Sequence, residues 1–228
     1  MPHIPTLLDR TGRPLRHGIV VGVAGPIAAG KSTASLFLAG FGAHEIDVDE
    51  IGHHMLRDAK VVRKITSYFG DGVLDSSGHL SRWKLAQIAF SSDDEIRMLN
   101  DILHPLIIAE TRREVDESRH EGSMLVINAA LLFEAGIDRY CDFIIIVTAD
   151  EKLREHRAIS KRGWPPGEMV RRESYHMPLS EKIARSDFVI HNNGTYEDLH
   201  YHVEKVYKEI LDGKKPKTSK AKHQNTEG

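Results

Sequence analysis

The sequence predicts a three-layer α/β fold built on a parallel sheet of five strands. Five short runs read as strands, Ile19–Ala24, Glu45–Val48, Met124–Asn128, Phe143–Thr148 and Phe188–His191, and helical patterns separate them. Strands alternating with helices imply right-handed β-α-β crossovers and a parallel sheet. The run Gly25-Pro26-Ile27-Ala28-Ala29-Gly30-Lys31-Ser32 follows the first strand and matches G-x-x-x-x-G-K-[ST], the phosphate-binding loop. Four fixed positions recur by chance in fewer than roughly one chain of this length in a hundred.

Each part of that loop has a chemical reason. Glycines let the backbone fold around an anion, so that successive N–H groups point inward. Lys31 adds a point charge at the β- and γ-phosphates, and Ser32 offers a hydroxyl to Mg²⁺. Thr33–Ala39 can open a helix whose N-terminal dipole faces the phosphates. Before the loop, Ile19–Ala24 is apolar throughout, as a parallel strand buried on both faces requires.

The second strand ends in Ile46-Asp47-Val48-Asp49. Period-2 alternation would put Asp47 and Asp49 on the same side of the strand. Ligands of open parallel sheets bind outside the carboxyl ends of the strands. Two carboxylates there could activate a substrate hydroxyl and help hold Mg²⁺, or they could simply cap the following helix. Residues 50–121 are too long for one crossover helix. Val61–Phe69, Arg82–Phe90, Asp94–Leu103 and Pro105–Arg119 read as helices, broken by Gly70-Asp71-Gly72 and Ser76-Ser77-Gly78, with Pro105 in a first turn. This block reads as a helical subdomain inserted into the core.

A second insertion separates the last two strands. Glu151–Arg162 is a charged helix, Gly163-Trp164-Pro165-Pro166-Gly167 a rigid break, and Met169–His176 a short basic helix. Its arginines, 154, 157, 162, 171 and 172, suit a mobile cover that neutralises phosphoryl oxygens and excludes water. The alternative is a solvated helix laced with i,i+4 pairs. Ile190-His191-Asn192-Asn193-Gly194 closes the last strand, and a side-chain amide there could read an adenine edge or build a turn. Thr195-Tyr196-Glu197-Asp198 has capping-box character and opens a closing helix to about Leu211.

Composition narrows the function classes. The 228 residues carry 31 Lys plus Arg against 33 Asp plus Glu, a net charge of −2 with no global footprint for nucleic acid. The single cysteine, Cys141, cannot form an internal disulfide and precedes an apolar strand, so it reads as buried and inert in a reducing compartment. Met1–His17 lacks the apolar stretch of a signal peptide, and no run reaches the roughly 18 residues of a membrane span. A cytoplasmic protein with no nucleic-acid or membrane partner, monomeric or weakly homo-oligomeric, is expected. The 14 histidines include His53-His54 and His200-x-His202, whose spacings do not suit a metal site. Beyond Gly213 the lysine-rich tail has too little to bury to fold.

Taken in order, these segments resemble the dephospho-coenzyme A kinase family, part of the nucleoside-monophosphate-kinase-like P-loop group. The matching pieces are Val23–Gly25 with Gly30–Thr33, Ile46–Ile51, Phe69-Gly70, Gly78–Arg82 leading into Phe90, Leu103-His104-Pro105, Leu131–Gly136, and Asp187–Ile190 with Asn192 and Gly194. The resemblance implies a three-layer P-loop kinase that transfers the γ-phosphate of ATP to the 3′-hydroxyl of dephospho-CoA, with Mg²⁺. It implies a core of 18–49, 122–150 and 184–212, an acceptor-binding subdomain of 50–121, an arginine-rich lid of 151–183, and flexible ends at 1–17 and 213–228. It implies catalytic roles for Asp49, as the candidate general base, Lys31 and Arg157. Nucleotide contacts fall to Gly25, Ala28, Ala29, Gly30, Lys31, Ser32, Thr33 and Asn192, with Ser32 on the metal. Asp47, Arg82, His104, Leu132 and Glu134 fall to the acceptor.

The chain departs from the family pattern at Pro26, Ala28 and Ala29 in the loop. Asn128 and Ala130 stand where Asp and Pro are common, and His176 where Gln is. The spacing from Arg157 to Arg162 is one residue wider than usual. Another small-molecule or nucleoside kinase of the same fold is one competing reading, which the 50–121 block would decide. A P-loop NTPase switch is a second, against which the chain has no Asn-Lys-x-Asp motif. A nucleotide-binding protein that has lost activity is a third, kept open by the Pro26, Ala28 and Asn128 departures.

Overall fold

The structure, a computed structural model, describes residues 18–89 and 91–212. What is expected of 1–17, of 213–228 and of Phe90 lies outside the described residues. The strands are β1 (Ile19–Ala24), β2 (His44–Asp47), β3 (Met124–Asn128), β4 (Phe143–Thr148) and β5 (Phe188–His191). They form one parallel sheet in the order β2-β3-β1-β4-β5. Val21 pairs with Val126 on one side and Phe143 on the other, which puts β1 at the centre. Every residue of β3 and β4 is buried, so both faces of the sheet are covered and the continuous apolar runs are explained.

Four strands fall where the sequence puts them. The second begins and ends one residue early, and its last residue, Asp47, also caps the helix that starts at Val48. Helix α1 (Lys31–Gly40) follows the phosphate loop, and α9 (Tyr196–Leu211) closes the described chain. They share the core on one sheet face. Leu199, Val203, Val206 and Ile210, spaced four, three and four apart, form the stripe of α9 in that core with Phe37 and Leu38 of α1 and Val21 and Ile145 of the sheet. Each fully buried aliphatic side chain contributes roughly 1.5–3 kcal/mol. Thr195 and Asp198 make the expected capping box, and its backbone hydrogen bond holds the Asp198 carboxyl below its usual range.

The chain divides into two compact units, Asp47–Glu114 and the remainder. The first contains α2 (Val48–Met55), α3 (Ala59–Phe69), a single 3₁₀ turn (Asp71–Val73), α4 (Arg82–Ala89) and most of α5 (Asp93–Glu121). Val61, Ile65, Val73, Leu85 and Ile102 form its own core. Two helices are expected on either side of Pro105, but α5 runs through it. Proline removes the partner of the Asp101 carbonyl, yet both residues are exposed, where solvent can satisfy it. Within the remainder, α6 (Glu151–Arg162) has the expected bounds and ends at Gly163 with φ +66°. Helix α7 (Glu168–Glu173) stops short of His176, and α8 (Leu179–Ala184) was not expected.

Candidate active site

The loop between β1 and α1 is held from several sides. Gly25 has φ +144°, and a Cβ there would strike the Val147 carbonyl. Gly30, the N-cap of α1 with φ +105°, has Asn192 packed where a Cβ would stand. Ala28 takes φ +58°, the only positive-φ residue besides glycine among the described residues. That conformation costs roughly 1–2 kcal/mol for a residue with a Cβ, so the loop tolerates strain at its tip.

Lys31 folds back over the loop, its Nζ donating to Gly25 O at 3.0 Å and Pro26 O at 3.1 Å. Asn192, 7% exposed, donates from Nδ2 to Ala29 O at 2.8 Å while its backbone N–H reaches Thr148 O at 2.6 Å. The amide expected at an adenine edge thus braces the loop from the end of β5. Ser32 is exposed and Thr33 half-buried in the first turn of α1. Asn128, at the end of β3, donates to Ser32 Oγ at 3.3 Å and to Glu45 Oε1 at 3.4 Å. A serine, an amide and a carboxylate are therefore linked across three elements.

Two arginines of α6 reach the loop. Arg157 donates to Ala28 O at 3.5 Å and Asn192 O at 3.1 Å, and burial pulls its guanidinium below the ordinary value. Arg154 is 6% exposed and bonds Ile27 O at 3.2 Å, Ala149 O at 3.1 Å and Glu173 at 2.5 Å. Trp164, in the break after α6, stacks against Arg172 at 4.2 Å and Arg162 at 5.1 Å.

Glu134 takes Met177 N–H at 2.8 Å and Lys182 Nζ at 2.9 Å on one oxygen, while its other oxygen is buried with no hydrogen-bond partner among the described residues. Lys182 is 2% exposed and also bonds Ala130 O at 3.1 Å. His176 lies half-buried beside them, its pKa lowered by burial and then by the Lys182 charge.

The Asp47–Glu114 unit holds the remaining expected residues. Asp47 is the N-cap of α2, its carboxylate accepting the N–H groups of Asp49 and Glu50. Asp49 is therefore in a helical first turn, and strand alternation does not place it beside Asp47. Arg82, exposed at the start of α4, donates to His53 Nε2 at 2.6 Å. Since arginine only donates, Nε2 accepts and any proton of neutral His53 sits on Nδ1, 3.5 Å from Glu50. His104, on α5, has its pKa lowered by burial against a smaller opposing pull from Asp101.

Leu132, expected at the acceptor, is 0% exposed and packs against the space above Gly22, so here it is part of the core. Glu173 and Lys182, in turn, were not singled out from the sequence. Their signal is the lone acid or base beside a partner of opposite charge in a half-buried segment, visible only once the partners are known. Cys141 is half-buried just before β4, and burial pushes its thiol pKa up to about 12.

A family model for dephospho-CoA kinase matches residues 19–198. A dephospho-CoA kinase of Chlorobaculum tepidum is 37% identical over 199 residues, 85% of this chain and 95% of that protein. One from Aquifex aeolicus is 34% identical over 191 residues, 83% of this chain and 96% of the relative. Among solved structures, the dephospho-CoA kinase of Campylobacter jejuni superposes with a TM-score of 0.66 at 25% identity, covering 86% of this chain and 98% of that one. A shikimate kinase from Acinetobacter baumannii, at TM-score 0.50 and 13% identity over 86% of this chain and 94% of its own, shares the P-loop kinase fold. The chain belongs to the dephospho-CoA kinase family.

Proposed function

We propose that the chain transfers the γ-phosphate of ATP to the 3′-hydroxyl of dephospho-CoA, the last step of CoA biosynthesis. The observation that carries this reading is the family match across both the phosphate loop and the helical unit. Phosphoryl transfer depends mainly on positioning and on neutralising charge at the phosphoryl oxygens. In this reading the loop amides and Lys31 hold the donor phosphates. Arg157 covers them from the 151–183 lid, whose closure excludes water. The Asp47–Glu114 unit receives the acceptor, with Arg82 and His104 among its contacts.

Asp49 orients the acceptor hydroxyl and takes its proton. Support for this comes from connectivity: β2 ends at the carboxyl edge of the parallel sheet, the edge from which the phosphate loop also leaves β1. The donor set beside the loop, the Ser32 hydroxyl with Asn128 and the Glu45 carboxylate behind it, is all hard oxygen and amide and fits Mg²⁺. Ser32 would hold the ion, which when bound neutralises charge on the donor phosphates. No helix among the described residues is long and apolar enough to cross a membrane, in keeping with a cytoplasmic reaction of small molecules.

Incubation with ATP, Mg²⁺ and a panel of dephospho-CoA, pantetheine-containing and nucleoside acceptors tests the reading. CoA formed from dephospho-CoA in preference to the other acceptors supports it, and phosphorylation of a nucleoside instead would overturn it.

A further inference from the structure

The phosphate loop already holds an anion, supplied by the chain itself. The backbone N–H of Ile27, inside the loop, donates to Glu173 Oε1 at 2.6 Å. The same oxygen receives Arg154 Nη1 at 2.5 Å. Loop amides of this kind are arranged to meet phosphate oxygens, so a carboxylate on one of them occupies a position that a phosphate oxygen would compete for.

Arg154 does not depend on Glu173 for its place. Its Nε is bonded to Ala149 O at 3.1 Å and its Nη1 to Ile27 O at 3.2 Å, which hold the guanidinium against the loop. Glu173, by contrast, is the last residue of the six-residue helix α7, which is capped by Gly167 with φ +82°. Met169 near its start packs on Ile27 of the loop, while Glu173 at its end meets the loop by hydrogen bond. Pro26, Arg154, Glu173, His176 and Lys182 line one cavity of about 160 Å³ beside the loop. Two of its lining side chains are cationic and one is a carboxylate. Lys182 keeps its own partner, Glu134, so withdrawing Glu173 leaves the buried Arg154 beside the loop without a carboxylate, an arrangement that favours a phosphate oxygen in its stead.

We propose that Glu173 is a resident anion of the phosphate loop, displaced when a polyphosphate binds, and that Arg154 then passes from the carboxylate to a phosphate oxygen as a further binding residue. The inference rests on the reading of the loop as the ATP site. It couples the end of α7 to occupancy of the loop: the Glu173 end is tethered to Ile27 by hydrogen bond until a polyphosphate displaces it, while Met169 holds the start of the helix in its apolar cluster.

The direction of the effect separates this role from that of a mere brace. ATP binding to the full chain, measured by titration calorimetry, should tighten in Glu173→Gln by roughly threefold or more, because a larger fraction of the loops is open to the ligand. A structural brace predicts unchanged or weaker binding, and either result would overturn the proposal. In the Glu173→Gln background, where the ion pair is already broken, Arg154→Gln should weaken ATP binding roughly tenfold, the order of one hydrogen bond to a charged group. No change there would remove Arg154 from the phosphate site. If Glu173→Gln fails to fold, Glu173→Asp shortens the reach to Ile27 while keeping the charge, and it too should bind ATP more tightly. The assay reads anion binding and not turnover, so a chain that binds ATP but phosphorylates a different acceptor fails the functional reading and leaves this one standing.

Discussion

The carboxylate of Asp47 accepts the backbone N–H of Asp49 at 2.9 Å. One member of the Asp-x-Asp pair thus starts helix α2, and the other is carried on its exposed first turn. A side chain that only capped a helix would be replaceable by serine or asparagine. The pair therefore divides two roles that the sequence left open, with the cap at Asp47 and the chemistry proposed at Asp49.

Lys31 crosses its own loop to the carbonyls of Gly25 and Pro26. Replacing it with alanine should lower kcat by roughly 10²–10³, the scale for one preorganised charge at a transferring group. Circular dichroism should show an unchanged fold. Near-normal turnover would place the donor phosphates elsewhere.

Leu132 makes the opposite prediction. As a fully buried core residue, its replacement by alanine should destabilise the protein by roughly 2–5 kcal/mol in urea denaturation. The KM for the acceptor should hold steady in the folded fraction. A raised KM at unchanged stability would return Leu132 to the acceptor site.

Burial lowers the pKa of His104 and of His176 in the folded protein. The unfolded chain therefore binds more protons as pH falls below about 6.5, the ordinary histidine value. The stabilisation is present above that value and is lost as pH drops toward the folded pKa. Urea midpoints at pH 7 and pH 5 should differ less in His104→Gln than in the parent. An equal or larger difference would show that His104 does not titrate in this way.

Much of the fold was legible because its signals are local. Four strands have the expected bounds, since runs such as Phe143–Thr148 are apolar on both faces and leave no ambiguity of period. The loop was legible because Gly25 and Gly30 both need positive φ. Pro105 misled because a proline in a helix matters little where the lost carbonyl partner faces solvent. Asp47 misled because a cap ends a strand one residue before hydropathy does. The burial of Leu132 was not legible, because a motif says that a residue is needed without saying whether for packing or for contact. The Glu173–Arg154 pair and the Asn192 brace join residues 19 and 163 positions apart, and no local pattern encodes such distances.

The role proposed for Asp49, acting on the acceptor hydroxyl, is tested most directly by Asp49→Asn. The substitution keeps size and hydrogen-bonding capacity but removes the charge, and Asp47 still caps α2. With ATP and dephospho-CoA both saturating, kcat should fall by roughly 10²-fold or more, the usual scale for a positioned acid–base group, while ATP affinity and melting temperature stay near those of the parent. Retained kcat with a lowered melting temperature would contradict the account and make Asp49 a structural residue of the helix.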